Sequence, residues 1–321
     1  MILKSDGRLI FLVETHTTPP RDFSKGQDLK FGGWRGGDIV LHKLAHNLAK
    51  FNQRVLIFTP PLFPHENISV LESYKVDSKD LIHRGADWNL PETLQYPKKE
   101  TIAVYPEIQP AQPFNTKYIA RWFLSDDNNY STWRDNPNDV YFSDPEQWHT
   151  NKSTLPLKAQ YYNFENLYKT NNGRRKGFCH FLHKYTPEDY ESILKPFNSE
   201  DISDWRERGG TSYLREKLNE YEYLITFDKQ TVMTYLPGLC GCKSIIYNID
   251  EHIEWKNMTP TEYRLNYPHH KYGCAFGIED IEWANKTIDL VPEHLREMEK
   301  LDDKTVDNFI KFWEKKTGLK I

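Results

Sequence analysis

The run Gly36-Gly-Asp-Ile-Val-Leu-His-Lys-Leu-Ala-His-Asn-Leu-Ala-Lys50, continued by Phe51-Asn-Gln-Arg-Val-Leu-Ile-Phe-Thr59, decides the fold. Leu41, Leu44, Ala45 and Leu48 recur at helical spacing on one face. Val55 to Phe58 is an unbroken apolar run that suits a parallel strand covered on both sides. Leu9 to Val13, upstream, is another such run. Strand, glycine pair, helix and strand make a βαβ unit. The start of its helix would offer free N–H groups and a positive dipole end to an anion or a hydroxyl. The alternative is that Gly36 and Gly37 only shape a turn.

The remainder of the chain repeats this alternation. Ile102 to Tyr105 reads as a strand ending in Pro106-Glu107, which sends the Glu107 carboxylate out from a strand's C-terminal end, where open α/β sheets hold their ligands. Asn115 to Trp122 reads as helical, Phe123-Leu124 as the start of a strand, and Asp139 to Phe142 as a short strand. A polar, glycine-containing segment, Tyr168 to Lys176, has no apolar period and divides the chain into domains of residues 1–170 and 171–321. Beyond it come a strand at Gly177 to Leu182, helices at Pro187 to Leu194 and Tyr213 to Leu218, and a strand at Tyr223 to Thr226. Gln230 to Leu239 reads as a helix and Ser244 to Tyr247 as a strand. Val306, Phe309, Ile310 and Trp313 form a helical stripe that can cover either domain. The expected class is α/β, with two Rossmann-like doubly wound domains.

A length of 321 residues accommodates two cores, and a net charge of −4 with interspersed signs argues against a broad nucleic-acid surface. Cys179, Cys240, Cys242 and Cys274 include no C-x-x-C pair, so buried thiols in a reducing compartment are expected rather than a metal site. The N-terminus carries no h-region with a cleavage site, and the apolar run from Leu9 is too short to span a bilayer, so a cytoplasmic protein without a transmembrane segment is expected.

Several segments resemble the GT-B glycosyltransferase superfamily, in which two Rossmann-like domains face each other across a cleft. The spacing Gly36-Gly37, Leu44-Ala45, Leu48, Val55 is similar to the opening of the retaining enzymes grouped as family four. Val104 to Ile108 followed by Asn115 to Trp122, Ile225 to Thr231 followed by Gly238 to Cys242, and Gly277 to Ala284 resemble a branch found in bacteria and in large DNA viruses. A virus-encoded chain would work in the host cytoplasm. Two departures stand out. Asn52-Gln53 replaces the Gly-His that follows the first helix in many members, a place where Asn still takes the left-handed conformation. The paired glutamates seven residues apart that hold the donor's ribose and sugar in many members are absent around Asp228 to Leu239.

The resemblance implies transfer of a hexose from a nucleoside diphosphate sugar to a glycan or other hydroxyl acceptor, with no further cofactor. Such a transfer builds negative charge on the leaving diphosphate, so a cation there matters most. Lys184, just beyond the Phe178 to Leu182 strand, is the first candidate, with His183 beside it and Arg174, Arg175 and Lys176 as second choices. Asp228 is either a hydroxyl acceptor for the donor or a helix N-cap, and Thr231 is a donor to it. Gly36 and Gly37 would line the cleft beside the sugar. His16 and Trp34 are assigned to the acceptor side, His16 being equally readable as an ordinary loop histidine. An inverting enzyme would use Glu107 or His16 as general base. In a retaining one the departing phosphate takes the proton and Glu107 binds sugar or acceptor.

The chain contains no Asp-x-Asp, and Asp126-Asp127 is a poor substitute because adjacent side chains diverge, so metal-independent donor binding is expected. Trp133, Trp148 and His149 are further acceptor-pocket candidates. A dinucleotide oxidoreductase is disfavoured by the lack of Gly-x-Gly-x-x-Gly and of an acid after Phe58. A nucleotide-sugar epimerase and a non-catalytic carbohydrate-binding protein of the same fold remain as alternatives.

Overall fold

In the computed structural model the described residues are 7–14, 36–59, 69–72, 99–106, 116–124, 139–144, 153–160, 167–182, 187–205, 208–228, 231–247 and 257–319. The chain forms two compact α/β units.

The first is built on a seven-stranded sheet of β1 (Ile10–Glu14), β2 (Arg54–Thr59), β3 (Ser69–Glu72), β4 (Thr101–Pro106), β5 (Tyr118–Phe123), β6 (Asp139–Ser143) and β7 (Leu155–Pro156), in the order β3-β2-β1-β4-β5-β6-β7. Every pairing is parallel except β2 with β3. After β1 the chain moves outward to β2 and β3 and returns on the other side of β1 with β4. This reversal is the doubly wound signature, and the crevice beyond the C-terminal ends of β1 and β4 is its switch point.

Helix α1 (Gly36–Lys50) joins β1 to β2, with Gly36 and Gly37 as its first two residues. Leu41, Leu44, Ala45 and Leu48 are all buried against Phe11, Val104 and Trp122. Burial of a leucine to this degree contributes about 1.5–3 kcal/mol. Asn52 ends the helix at φ 61, the left-handed conformation expected from the sequence.

The second unit carries a wholly parallel sheet of β8 (Lys176–Phe181), β9 (Glu200–Asp201), β10 (Tyr221–Thr226), β11 (Lys243–Ile246) and β12 (Cys274–Phe276), ordered β12-β11-β10-β8-β9. Its helices are α2 (Pro187–Leu194), α3 (Gly210–Glu220), α4 (Pro260–Asn266) and α5 (Ile281–Thr287). Tyr190 and Leu194 of α2 and Ala284 of α5 pack with Ile225, Phe227 and Ile245. The chain goes from β8 to β9 and then crosses back to β10, so right-handed connections put α3 on the opposite face from α2.

Helix α6 (Val291–Thr317) has residues in both units. Val306, Phe309, Ile310 and Trp313 complete the core of the first, where the Phe309 ring meets that of Phe142 edge-on at 4.8 Å. In the second, Val291 packs so tightly that a Cβ on Gly238 would lie 2.7 Å from its Cγ1. Among the described residues no helix is long and apolar enough to cross a membrane.

Two elements depart from the sequence reading. Residues 118–122, expected as the end of a helix, belong with Phe123 to β5, with Ala120 and Trp122 turned to the α1/α6 core and Arg121 paired to Asp139 on β6 at 3.1 Å. Where one helix was expected over 230–239, the described residues from Thr231 form two short 3-10 helices, Val232–Thr234 and Leu236–Cys240. The Pro237 ring blocks a regular α-turn there. The Thr234 hydroxyl also binds back to the Thr231 carbonyl at 2.7 Å, tightening the turn.

Candidate functional site

The switch point of the second sheet lies between β8 and β10, and ligands of open α/β sheets bind beyond the C-terminal ends of such strands. β8 ends at Phe181, and Leu182 is then fixed by its N–H donating to Ser203 Oγ at 2.8 Å. His183 and Lys184 follow directly and lie outside the described residues. β10 ends at Thr226, whose hydroxyl accepts the Asp228 N–H at 3.3 Å. Asp228 is half-buried in the segment leaving the strand.

The N-cap of the Val232–Thr234 turn is Thr231, whose Oγ1 accepts the Met233 N–H at 3.3 Å. Asp228 is therefore not the cap. A turn of three residues also lacks the dipole of a full helix, so what the segment offers at its start is the Thr231 hydroxyl. The Thr231 Oγ–H keeps its own hydrogen to donate.

A buried chain of hydrogen bonds holds this turn. Thr234 Oγ1 donates to the Thr231 carbonyl, so in its 2.6 Å contact with His270 Nε2 it is the acceptor. His270 is then the Nε2–H tautomer, and its Nδ1 accepts from the Tyr263 hydroxyl. Burial pushes the Tyr263 phenol well above its ordinary pKa, with Asp228 among the charges adding to the shift, so it stays a donor.

Each member has a local reason to be in place. Tyr263 sits on α4, whose start is fixed by a capping box between Thr259 and Glu262, and its ring stacks on Phe276 at 4.5 Å. His270 closes the Pro268–His270 turn, and His294 Nε2 holds that turn by donating to the Pro268 carbonyl at 2.6 Å. Burial lowers the His294 pKa. Nothing in the sequence marks His270 or Tyr263, because the chain links groups 36 and 7 residues apart.

In the basic segment leading into β8, Arg174 is exposed and Arg175 is held by the fold. Arg175 donates to the carbonyls of Cys240 at 2.6 Å, Leu218 at 2.8 Å, Tyr221 at 3.1 Å and Asn171 at 3.2 Å. Gly241, at φ 80, leaves room for that guanidinium, since a Cβ there would lie 2.9 Å from Arg175 Nη2. Lys176 pairs with Glu220. Arg175 is thus committed to backbone carbonyls, and Gly238 and Gly241 both stand where a Cβ would meet close neighbours.

Beside the switch point, His180 of β8 meets Ser199 Oγ at 2.8 Å through Nδ1, with Nε2 3.7 Å from Asp201. Burial lowers its pKa against the opposing pull of Asp201. All four cysteines are free and buried, and burial pushes the Cys240 thiol up to about 12, so it is unreactive at neutral pH. Among the described residues no three His, Cys, Asp or Glu side chains group as metal ligands.

In the first unit the switch-point strands end at Glu14 and Pro106, and α1 opens at Gly36. Its first N–H groups, including those of Gly36 and Gly37, have no partner within the helix. His16, Trp34 and Glu107 lie outside the described residues, as do Trp133, Trp148 and His149. Compared with protein-family models and with curated proteins, the chain gives no match.

Proposed function

We propose that the chain is a GT-B-type glycosyltransferase that moves a hexose from a nucleoside diphosphate sugar to a hydroxyl acceptor, with retention and without a metal ion. The observation that carries the reading is the reversal of the second sheet between β8 and β10. The segments leaving those two strands are the ones that hold His183-Lys184 and Asp228-Thr231. On this reading Lys184 neutralises the departing diphosphate, Thr231 donates to it, and the Asp228 carboxylate accepts from a donor hydroxyl. In the first unit the N–H groups at Gly36 and Gly37 and the carboxylate of Glu107 serve the sugar, while His16 and Trp34 serve the acceptor. The acceptor's proton leaves on the departing phosphate oxygen.

The test is incubation of the whole chain with radiolabelled nucleotide sugars and candidate acceptors in excess chelator. Label in the acceptor supports the proposal, and Lys184→Ala is expected to lower that transfer about a hundredfold or more. An epimerised donor, or donor binding without turnover, would replace the proposal by an epimerase or a carbohydrate-binding protein.

A further inference from the structure

Within the second unit, a cavity of about 530 Å³ lies along α3, lined by Tyr168, Arg208, Gly209, Ser212, Tyr213 and Arg215 among others. That volume is in the range of small-molecule sites, about 300–1,000 Å³. No residue leaving β8 or β10 lines it.

Its cations are only partly committed. Arg208 donates through Nε to Asp204 at 2.6 Å and through Nη1 to the Tyr213 hydroxyl at 3.0 Å. Arg215 donates through Nη1 to the Tyr168 hydroxyl at 3.1 Å, its guanidinium 5.0 Å from the centre of that ring. A guanidinium carries five N–H donors, so each arginine keeps several for a ligand. Arg215 forms no ion pair among the described residues, although Glu216 lines the same cavity. Gly209 lines the cavity at φ 134, where a side chain would be strained, and α3 opens with Gly210 at φ 65. α3 begins there with no side-chain cap and no acidic residue in its first turn; its Gly210 N–H is spent on the Trp205 carbonyl at 2.9 Å, and the exposed Ser212 lines the same cavity as the arginines.

The geometry points to a binding site for a small organic phosphate, a phosphate group carried on a sugar or nucleoside ring. Arg208, Arg215 and Ser212 take the phosphate oxygens as charge-assisted contacts. Tyr168 and Tyr213, whose rings already carry Arg215 and Arg208 over them, border the ligand ring, and Glu216 accepts from a ring hydroxyl. The assignment is independent of the donor site proposed at β8 and β10.

The experiment follows amide shifts of the full, isotope-labelled chain on titration with inorganic phosphate, glucose 1-phosphate and adenosine 5′-monophosphate. Saturable shifts at residues 209–213 are expected with at least one organic phosphate, binding about tenfold or more tightly than inorganic phosphate. The tighter of the two organic probes identifies the ring. Arg215→Gln is expected to weaken binding about tenfold. Ser212→Glu places a carboxylate in the phosphate position while favouring the start of a helix, so binding is lost and the Tm is unchanged or higher. Shifts that never saturate, inorganic phosphate binding as tightly as both organic probes, or full affinity in a folded Ser212→Glu protein would each overturn the assignment.

Discussion

Replacing Asp302 by asparagine should change the pH dependence of stability more than stability itself. Asp302 lies on α6 with no exposed surface, and one carboxylate oxygen accepts the Gln160 N–H at 2.7 Å while the other has no hydrogen bond. Burial pushes its pKa up from 3.8 to about 8, with Asp144 adding to the rise and Lys158, Lys43 and the Gln160 N–H opposing it. The folded protein therefore keeps a proton that the unfolded chain releases above about pH 4. Stability from this group is fully present below pH 4 and is lost as pH rises toward 8. At 1.36 kcal/mol per unit, the loss between pH 5 and pH 8 is about 4 kcal/mol.

Asparagine cannot titrate, yet its carbonyl can still accept from Gln160. Its amide occupies the place of the unbonded oxygen at a roughly pH-independent cost of about 1–3 kcal/mol. Urea unfolding at pH 5, 6, 7 and 8, followed by tryptophan fluorescence, gives the difference between variant and parent at each pH. Groups that titrate alike in both cancel. The difference should move in the variant's favour by about 4 kcal/mol from pH 5 to pH 8. A difference constant to within about 1 kcal/mol would mean instead that Asp302 is already ionised in the fold at pH 5.

Three further outcomes follow from packing and hydrogen bonding. Gly238→Ala drives a methyl to 2.7 Å from Val291 Cγ1, and overpacking of this kind costs about 1–3 kcal/mol, readable as a lower Tm. An unchanged Tm would contradict the close contact. Arg175→Met keeps the apolar stem but leaves the carbonyls of Asn171, Leu218, Tyr221 and Cys240 without this donor, for an expected loss of about 2–4 kcal/mol in urea. A merely solvated arginine would cost under about 0.5 kcal/mol. His270→Leu removes the link between Tyr263 and Thr234, so the Thr234 amide, which donates to the Thr231 carbonyl at 3.1 Å, should exchange with solvent about tenfold faster or more. Unchanged exchange would show that the turn is held by its own backbone.

Elements governed by local physics were readable in advance. α1 showed its apolar stripe, β4 its unbroken buried run, and α2 its proline at the first position. β5 was misread because both of its faces are covered, so polarity does not alternate along it. Its one charge, Arg121, is neutralised by Asp139, a partner 18 residues on that only the sheet register supplies. The α6 stripe was legible, but its choice of the first unit was not, since that depends on Phe11 and Phe142, which lie far from it in sequence.

The candidate site divides in the same way. Residues just past a strand, such as Asp228, can be placed by topology alone. Thr231 took the capping role considered for Asp228 because the following turn is a 3-10 stub. The linker arginine could not be distinguished from a solvated one, since its four acceptors come from three separate segments.

On the proposed function, the C-terminal edge of the second sheet, at β8 and β10, holds a nucleoside diphosphate sugar. Amide shifts of Asp228 and of residues 231–234, recorded while the chain is titrated with nucleoside diphosphates and their sugar derivatives in chelator, test it most directly. Saturable shifts at Asp228 and Thr231 with one base preferred, and weaker binding in Lys184→Ala, are expected. No shift at those amides with any nucleotide, up to millimolar concentration, would contradict it.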